Sequence, residues 1–271
     1  MKRLIVLLFI GLFISFNAYP AEIDTLKVHS KILNKEVDVL VIRPKNTSNQ
    51  TFPIIYLLHG YNGNAFSWLN IEPNLPKFSE LYKITIVCPD NGNSWYWDSP
   101  NIETSKHESF MIKELYPYIS KVFQNGINRN KVAITGLSMG GHGAFWLAGR
   151  HPSLFGAIGS MSGGLDLRSF SNSWNLKEHL GNVKESEMVW NEYTVISHID
   201  RLVEHRYAII FDCGIDDFFY PMNVDMHHKL LENKIPHDFI SRPGAHNSEY
   251  WRNALAYQLL FFSNFFQESR P

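Results

Sequence analysis

The sequence predicts an α/β fold: a mostly parallel central sheet with helices on both faces and no large lid domain. Two observations point there. Short strand-like runs alternate with segments of helical spacing along the chain. One of those runs, Ile54–Leu58, is apolar at every position, as expected of a strand covered on both faces. The 271 residues, 45% of them hydrophobic, fit one sizeable domain. No repeat, low-complexity tract or interdomain linker divides them.

Residues 1–21 read as a secretory signal peptide and 22–271 as a single α/β domain. Lys2 and Arg3 precede the apolar run Leu4–Ile14, and a short polar stretch to Pro20 follows. A membrane anchor is the competing reading. The run is shorter than the roughly 18 residues a spanning helix needs, so the expectation is an exported protein with no stable span after cleavage.

Thr25–Ser30 and Glu36–Ile42 read as a strand pair. In the second, Val37, Val39 and Val41 alternate with other residues, a period-2 pattern broken at Leu40. Strands are expected at Ile54–Leu58, Ile84–Cys88, Lys131–Thr135, Ala157–Met161, Tyr207–Cys213 and Asp238–Ser241. Helical spacing appears from Phe110 to Phe123, over Gly140–Arg150 and Pro221–Asn233, and over Ser248–Phe266, where Trp251, Leu255, Leu259, Phe262 and Phe266 recur every three or four residues. Residues 165–205 are irregular, either a small cap beside the site or a surface excursion.

Composition narrows the function. Lys+Arg 25 against Asp+Glu 26, with no basic run, gives no footprint for a nucleic-acid partner. The only cysteines, Cys88 and Cys213, each end a strand-like run and read as buried free thiols, although an exported protein could pair them. No metal-like Cys/His spacing occurs, and no metal or organic cofactor is implied.

The chemistry centres on Gly136-Leu137-Ser138-Met139-Gly140. It follows a strand and opens a helix, the arrangement that lifts a nucleophilic serine above a sheet. A serine hydroxyl needs a base, and the base an orienting acid. In this arrangement the chain order is serine, acid, histidine. After Ser138, the strand ending at Cys213 is followed by Asp216-Asp217, and the last strand by His246 in a glycine-flanked loop. Asp217 is preferred over Asp216 as the acid. His246 is the expected base. For a developing oxyanion, the backbone N–H groups of Met139 and Tyr61 are the candidate donors, the latter in the His59-Gly60-Tyr61 loop after the buried strand. The loop Trp95-Tyr96-Trp97 is expected on the same rim, with aromatic faces that can stack on a sugar or an aryl acyl group.

These motifs carry a resemblance. Ala133–Ala144, His151-Pro152 with Phe155, Ser162-Gly163, Leu57-Leu58-His59-Gly60, Asn93–Tyr96 with Asp98-Ser99-Pro100, Glu114-Leu115, Cys213-Gly214 with Asp217-Phe218, and Pro243-Gly244 with His246 look like the esterase D / tributyrin esterase family. That family includes feruloyl and acetylxylan esterases and S-formylglutathione hydrolases. The resemblance spans about residues 25–265 and implies an α/β-hydrolase fold. It implies Ser138 as nucleophile, Asp217 as acid, His246 as base, and oxyanion donors on Tyr61 and Met139. His142 is similar to the S-formylglutathione hydrolase branch, while the His59-Gly60-Tyr61 and Ser94-Trp95-Tyr96 loops look like the tributyrin-esterase branch. Trp95, Tyr96 and His142 are therefore the candidate substrate contacts. The expected activity is a secreted serine esterase acting on short-chain or carbohydrate-linked acetyl or feruloyl esters. A thioesterase on S-formylglutathione, an acyltransferase and a non-catalytic binding module are the competing readings.

Overall fold

The computed structural model describes residues 21–45, 50–123 and 128–268. The signal-peptide reading of the first twenty residues lies outside them. In chain order come β1 (Glu22–Ser30), β2 (Lys35–Arg43), β3 (Ile54–Leu58), α1 (Ser67–Ile71), α2 (Leu75–Tyr82) and β4 (Thr85–Pro89). α3 (His107–Phe110) runs through one π-helical turn, Met111–Leu115, into α4 (Tyr116–Val122). Then follow β5 (Val132–Gly136), α5 (Met139–Arg150), β6 (Ala157–Met161), α6 (Leu176–Leu180), α7 (Glu187–Glu192), α8 (Asp200–Val203), β7 (Ala208–Gly214), α9 (Tyr220–Glu232), β8 (Asp238–Arg242) and α10 (Ser248–Glu268).

The eight strands form one sheet in the order β1-β2-β4-β3-β5-β6-β7-β8. β1 and β2 pair antiparallel with each other, β2 pairs antiparallel with β4, and all remaining pairs are parallel. This is an α/β-hydrolase sheet. Side chains of β3 alternate between two cores. Ile54, Tyr56 and Leu58 meet Phe145 of α5 and Tyr116 of α4 in one core; Ile55 and Leu57 meet Trp68, Leu75, Leu255 and Phe262 in the other. Two apolar layers on one strand are why its sequence is apolar at every position. The break at Leu40 has the same cause, because Leu40 and Ile42 join the second core while Val37, Val39 and Val41 join the first.

Residues 165–205 fold into short helices without a core of their own. Leu165, Leu167, Leu176, Leu180, Trp190, Ile196 and Leu202 extend the first core, so the segment lies against the body of the domain. Polar ties add to this. Arg150 and Arg201 both reach Glu192, at 3.2 and 3.0 Å, and the Tyr193 hydroxyl donates to the Asp98 carbonyl at 3.0 Å. Helices α1 and α2 carry no long periodic pattern, and the sequence alone does not single them out. Cys88 and Cys213 are free and buried. They lie on β4 and β7, which β3, β5 and β6 separate, so they cannot pair. Burial pushes the Cys88 thiol up to about 12, and Cys213 is raised by the same cause.

Candidate active site

Ser138 stands between β5 and α5 with φ 53° and ψ −116°, a conformation L-residues rarely adopt. Its surroundings enforce it. The Ser138 N–H donates to the Met161 carbonyl at 2.9 Å, and the Gly140 N–H to the Leu137 carbonyl at 2.7 Å. A Cβ at Gly136 would lie 2.6 Å from the Leu58 carbonyl oxygen, and one at Gly140 only 2.4 Å from it. The turn is therefore tight because strand and helix backbones touch. Gly140→Ala should push the elbow off β3, costing about 1–3 kcal/mol of stability together with most activity; an unchanged thermal midpoint and rate would contradict this.

Asp217 follows β7 and His246 follows β8. These strands are parallel neighbours, with Gly214 opposite Arg242, so their carboxyl-terminal loops emerge side by side. The loops are laced together. The Ile215 N–H donates to the Arg242 carbonyl and the Asp216 N–H to the Gly244 carbonyl, each at 3.0 Å. The Asp217 side chain is fully buried, and its Oδ1 accepts the Phe219 N–H at 2.8 Å. His246 Nδ1 lies 3.0 and 2.9 Å from the two Asp217 oxygens, and Nε2 lies 2.9 Å from Ser138 Oγ. A carboxylate only accepts, so Nδ1 carries the proton and Nε2 presents its lone pair to the serine hydroxyl. Phe218, Phe219 and Trp251 hold the imidazole at ring-centroid distances of 4.3, 5.3 and 5.0 Å. Asp216 is exposed.

Ser138 and His246 open into a pocket of about 300 Å³, walled by Gly60, Tyr61, Ile71, Leu137, Trp174, Phe218 and Trp251. Met139 is the first residue of α5, where backbone N–H groups have no partner within the helix and the helix end is electropositive. Tyr61 lines the pocket beside Gly60. A Cβ on Gly60 would sit 3.4 Å from the Ser138 Cβ.

Trp95, Tyr96 and His142 are a correction. All three are buried, at 1%, 0% and 0% exposure, and none lines the pocket. Trp95 and Tyr96 both take positive φ, 56° and 63°, and their side chains pack into the first core. The Tyr96 ring fills the space a Cβ on Gly143 would need, and its hydroxyl donates to the His59 carbonyl at 3.0 Å. His142 Nδ1 donates to the Gly164 carbonyl at 2.9 Å, with Trp95 and Trp97 edge-on to the ring. Burial pushes His142 down to about 4, so it is neutral and structural. The aromatic walls are instead Trp174, Phe218 and Trp251. Phe218 and Trp251 were findable as neighbours of Asp217 and His246; Trp174 sits in an aperiodic stretch and was not.

Among the described residues, no group of three or more His, Cys, Asp or Glu side chains is arranged to hold a metal, and no helix is long and apolar enough to cross a membrane. A family model described as "Putative esterase" matches residues 30–262. The chain belongs to this esterase family. The esterase is similar to an acetyl esterase of Caldicellulosiruptor saccharolyticus, 26% identical over 253 residues that cover 85% of this chain and 94% of that one. It is also similar to a solved ferulic acid esterase, 28% identical with a TM-score of 0.78 over 91% of this chain and 100% of that one. Fluorophosphonate-binding serine hydrolase F of Staphylococcus aureus shares the fold, with a TM-score of 0.81 at 21% identity over 90% of this chain and 99% of that one. The chain is a serine esterase.

Proposed function

We propose that this esterase works through an acyl-enzyme on Ser138, on esters of short or aromatic acids such as acetyl and feruloyl groups attached to carbohydrates, outside the cytoplasm. The observation that carries the mechanism is the hydrogen-bonded line from Asp217 through His246 to Ser138 at the floor of the pocket. Ser138 Oγ attacks the ester carbonyl while His246 Nε2 takes its proton. The Tyr61 and Met139 N–H groups stabilise the oxyanion. The alcohol leaves with the proton from His246, and water then repeats the sequence on the acyl-enzyme and releases the acid. Asp217 holds the imidazole in the tautomer this needs.

Size and lining support the acyl preference. About 300 Å³ is at the small end of ligand pockets, and Trp174, Phe218 and Trp251 give an aryl acid flat partners. The names of the acetyl esterase and ferulic acid esterase relatives agree with it. Export rests on the basic and apolar N-terminal run alone.

The test is kcat/KM for acetyl, butyryl, feruloyl-sugar, palmitoyl and S-formylglutathione substrates. Best turnover of palmitoyl esters, or of the thioester, would overturn the substrate class. Product analysis with an added sugar acceptor separates hydrolysis from acyl transfer. Trp174→Ala should lower kcat/KM for feruloyl esters about tenfold, the upper range for one aromatic pair, and change acetyl esters much less. An equal loss on both would remove Trp174 from the acyl wall.

A further inference from the structure

His59 lies outside the line of three side chains, yet both of its ring nitrogens are committed. The ring is buried, 1% exposed, at the end of β3. The backbone N–H of Asn91 donates to its Nε2 at 3.0 Å. A backbone N–H can only donate, so Nε2 is an acceptor and the ring's proton is on Nδ1. Nδ1 in turn lies 2.7 Å from the Gly60 carbonyl oxygen, which can only accept. The two contacts leave one state, a neutral imidazole with the proton on Nδ1. Burial favours the same state, holding His59 below the ordinary imidazole range.

The Gly60 carbonyl oxygen receives a second donor, the Gly63 N–H, at 3.0 Å. It belongs to the peptide that joins Gly60 to Tyr61. In a trans peptide the C=O and N–H point in opposite directions. Fixing the oxygen toward His59 and Gly63 therefore fixes the Tyr61 N–H to face the other way. Gly60, Tyr61 and Ser138 wall the same pocket, and Gly60 is against Ser138.

Further bonds hold His59 from behind. His107 Nδ1 lies 3.1 Å from Asn91 Oδ1; the amide oxygen accepts, so this imidazole too carries its proton on Nδ1. The Tyr96 hydroxyl donates to the His59 carbonyl at 3.0 Å, and the Trp68 indole N–H donates to the Leu58 carbonyl at 2.8 Å. The loop predicted to touch substrate thus reaches the site through the backbone of residues 58–60.

The geometry points to His59 as a positioning residue. Through its Nδ1–H it aims the Tyr61 N–H at the oxyanion, at the end of a buried relay His107–Asn91–His59–Gly60. This rests on the acyl-enzyme reading above. Its signature is a loss confined to the transition state, lowering kcat and leaving KM nearly unchanged.

Two conservative variants separate this role from plain structural support. His59→Asn places an amide where Nδ1 stands and can still donate to Gly60. His59→Gln reaches the Nε2 position and can still accept from Asn91, but cannot donate to Gly60. The expected result is that His59→Ala and His59→Gln lose about 10–100-fold in kcat, below the full cost of deleting an oxyanion donor, while His59→Asn retains several-fold more activity than either. Binding of phenylboronic acid, whose serine adduct places an oxygen in the oxyanion position, should weaken by a similar factor in the Ala and Gln variants. Equal kcat for Asn and Gln, or a better Gln variant, would overturn the role. Should the variants not fold, imidazole ¹⁵N spectra of the wild-type protein decide: His59 protonated on Nε2, or charged at neutral pH, overturns it. Ser138→Ala is the control. Boronate binding that survives there removes the acyl-enzyme reading, whereas its loss there with indistinguishable His59 variants removes the positioning role alone.

Discussion

Ser138→Ala is expected to lower kcat/KM by about 10³-fold or more while the protein folds and melts as the wild type does. Removing Oγ removes the hydroxyl that lies 2.9 Å from His246 Nε2, the atom the proposed mechanism sends to the carbonyl. What remains is the oxyanion site and the pocket, which together retain a small part of the acceleration. The fold should be indifferent. Alanine keeps the Cβ that already tolerates φ 53°, and the backbone bonds of residue 138 to Met161 and His142 do not involve the hydroxyl. The stability change should stay within about 1 kcal/mol. Labelling by a fluorophosphonate should vanish with the activity. Near-normal turnover in the purified variant would remove Ser138 from the mechanism.

Asp217→Asn should be comparably severe, with a loss in kcat on the order of 10⁴ by analogy with other serine enzymes. The carboxylate accepts the Nδ1–H of His246; an amide can offer its own N–H to the same atom and stabilise the opposite tautomer. The proton then sits on Nε2, facing a serine hydroxyl that needs a base. The bond from the Phe219 N–H to Oδ1 can survive, so the loop should stay in place. Asp216→Asn is the comparison. Its side chain is exposed and its contribution to the loop, the N–H bond to Gly244, is backbone. Activity there should change less than about twofold. Comparable losses at the two positions, or a larger one at Asp216, would move the acid.

Local chemistry explains what could be read from the chain. A short apolar run with no polar interruption, bounded by a proline before and His59-Gly60 after, is what a doubly covered strand requires, which located β3. The glycines at 136 and 140 are demanded by backbones that touch, so the serine motif was legible wherever a strand preceded it and a helix followed. Serine, acid and histidine after β5, β7 and β8 followed from the parallel sheet, which sends all those strand ends to one rim. The Trp95-Tyr96-Trp97 loop was placed on that rim for the same reason, and there the inference failed. A rim position fixes where a loop starts but not which way its side chains turn. These pack into the core, and aromatic rings burying about 150–250 Å² each favour that outcome.

The sequence by itself determined the fold class, the strand order along the chain, and a short set of candidate residues for a serine, an acid and a histidine in one site. Those are properties of local pattern: periodicity, glycine at close approaches, and donor and acceptor types at the ends of strands. Only the tertiary structure decided between adjacent aspartates, because that choice depends on which carboxylate the pairing of β7 and β8 turns toward His246. It alone brought Trp174 from the 165–205 segment into the pocket wall and buried His142. It also held His59 by the backbone of Asn91, a residue 32 positions away, with its other ring nitrogen on the Gly60–Tyr61 peptide. Each of those outcomes depends on long-range packing and on the sign of a few backbone angles, which no short window of residues encodes.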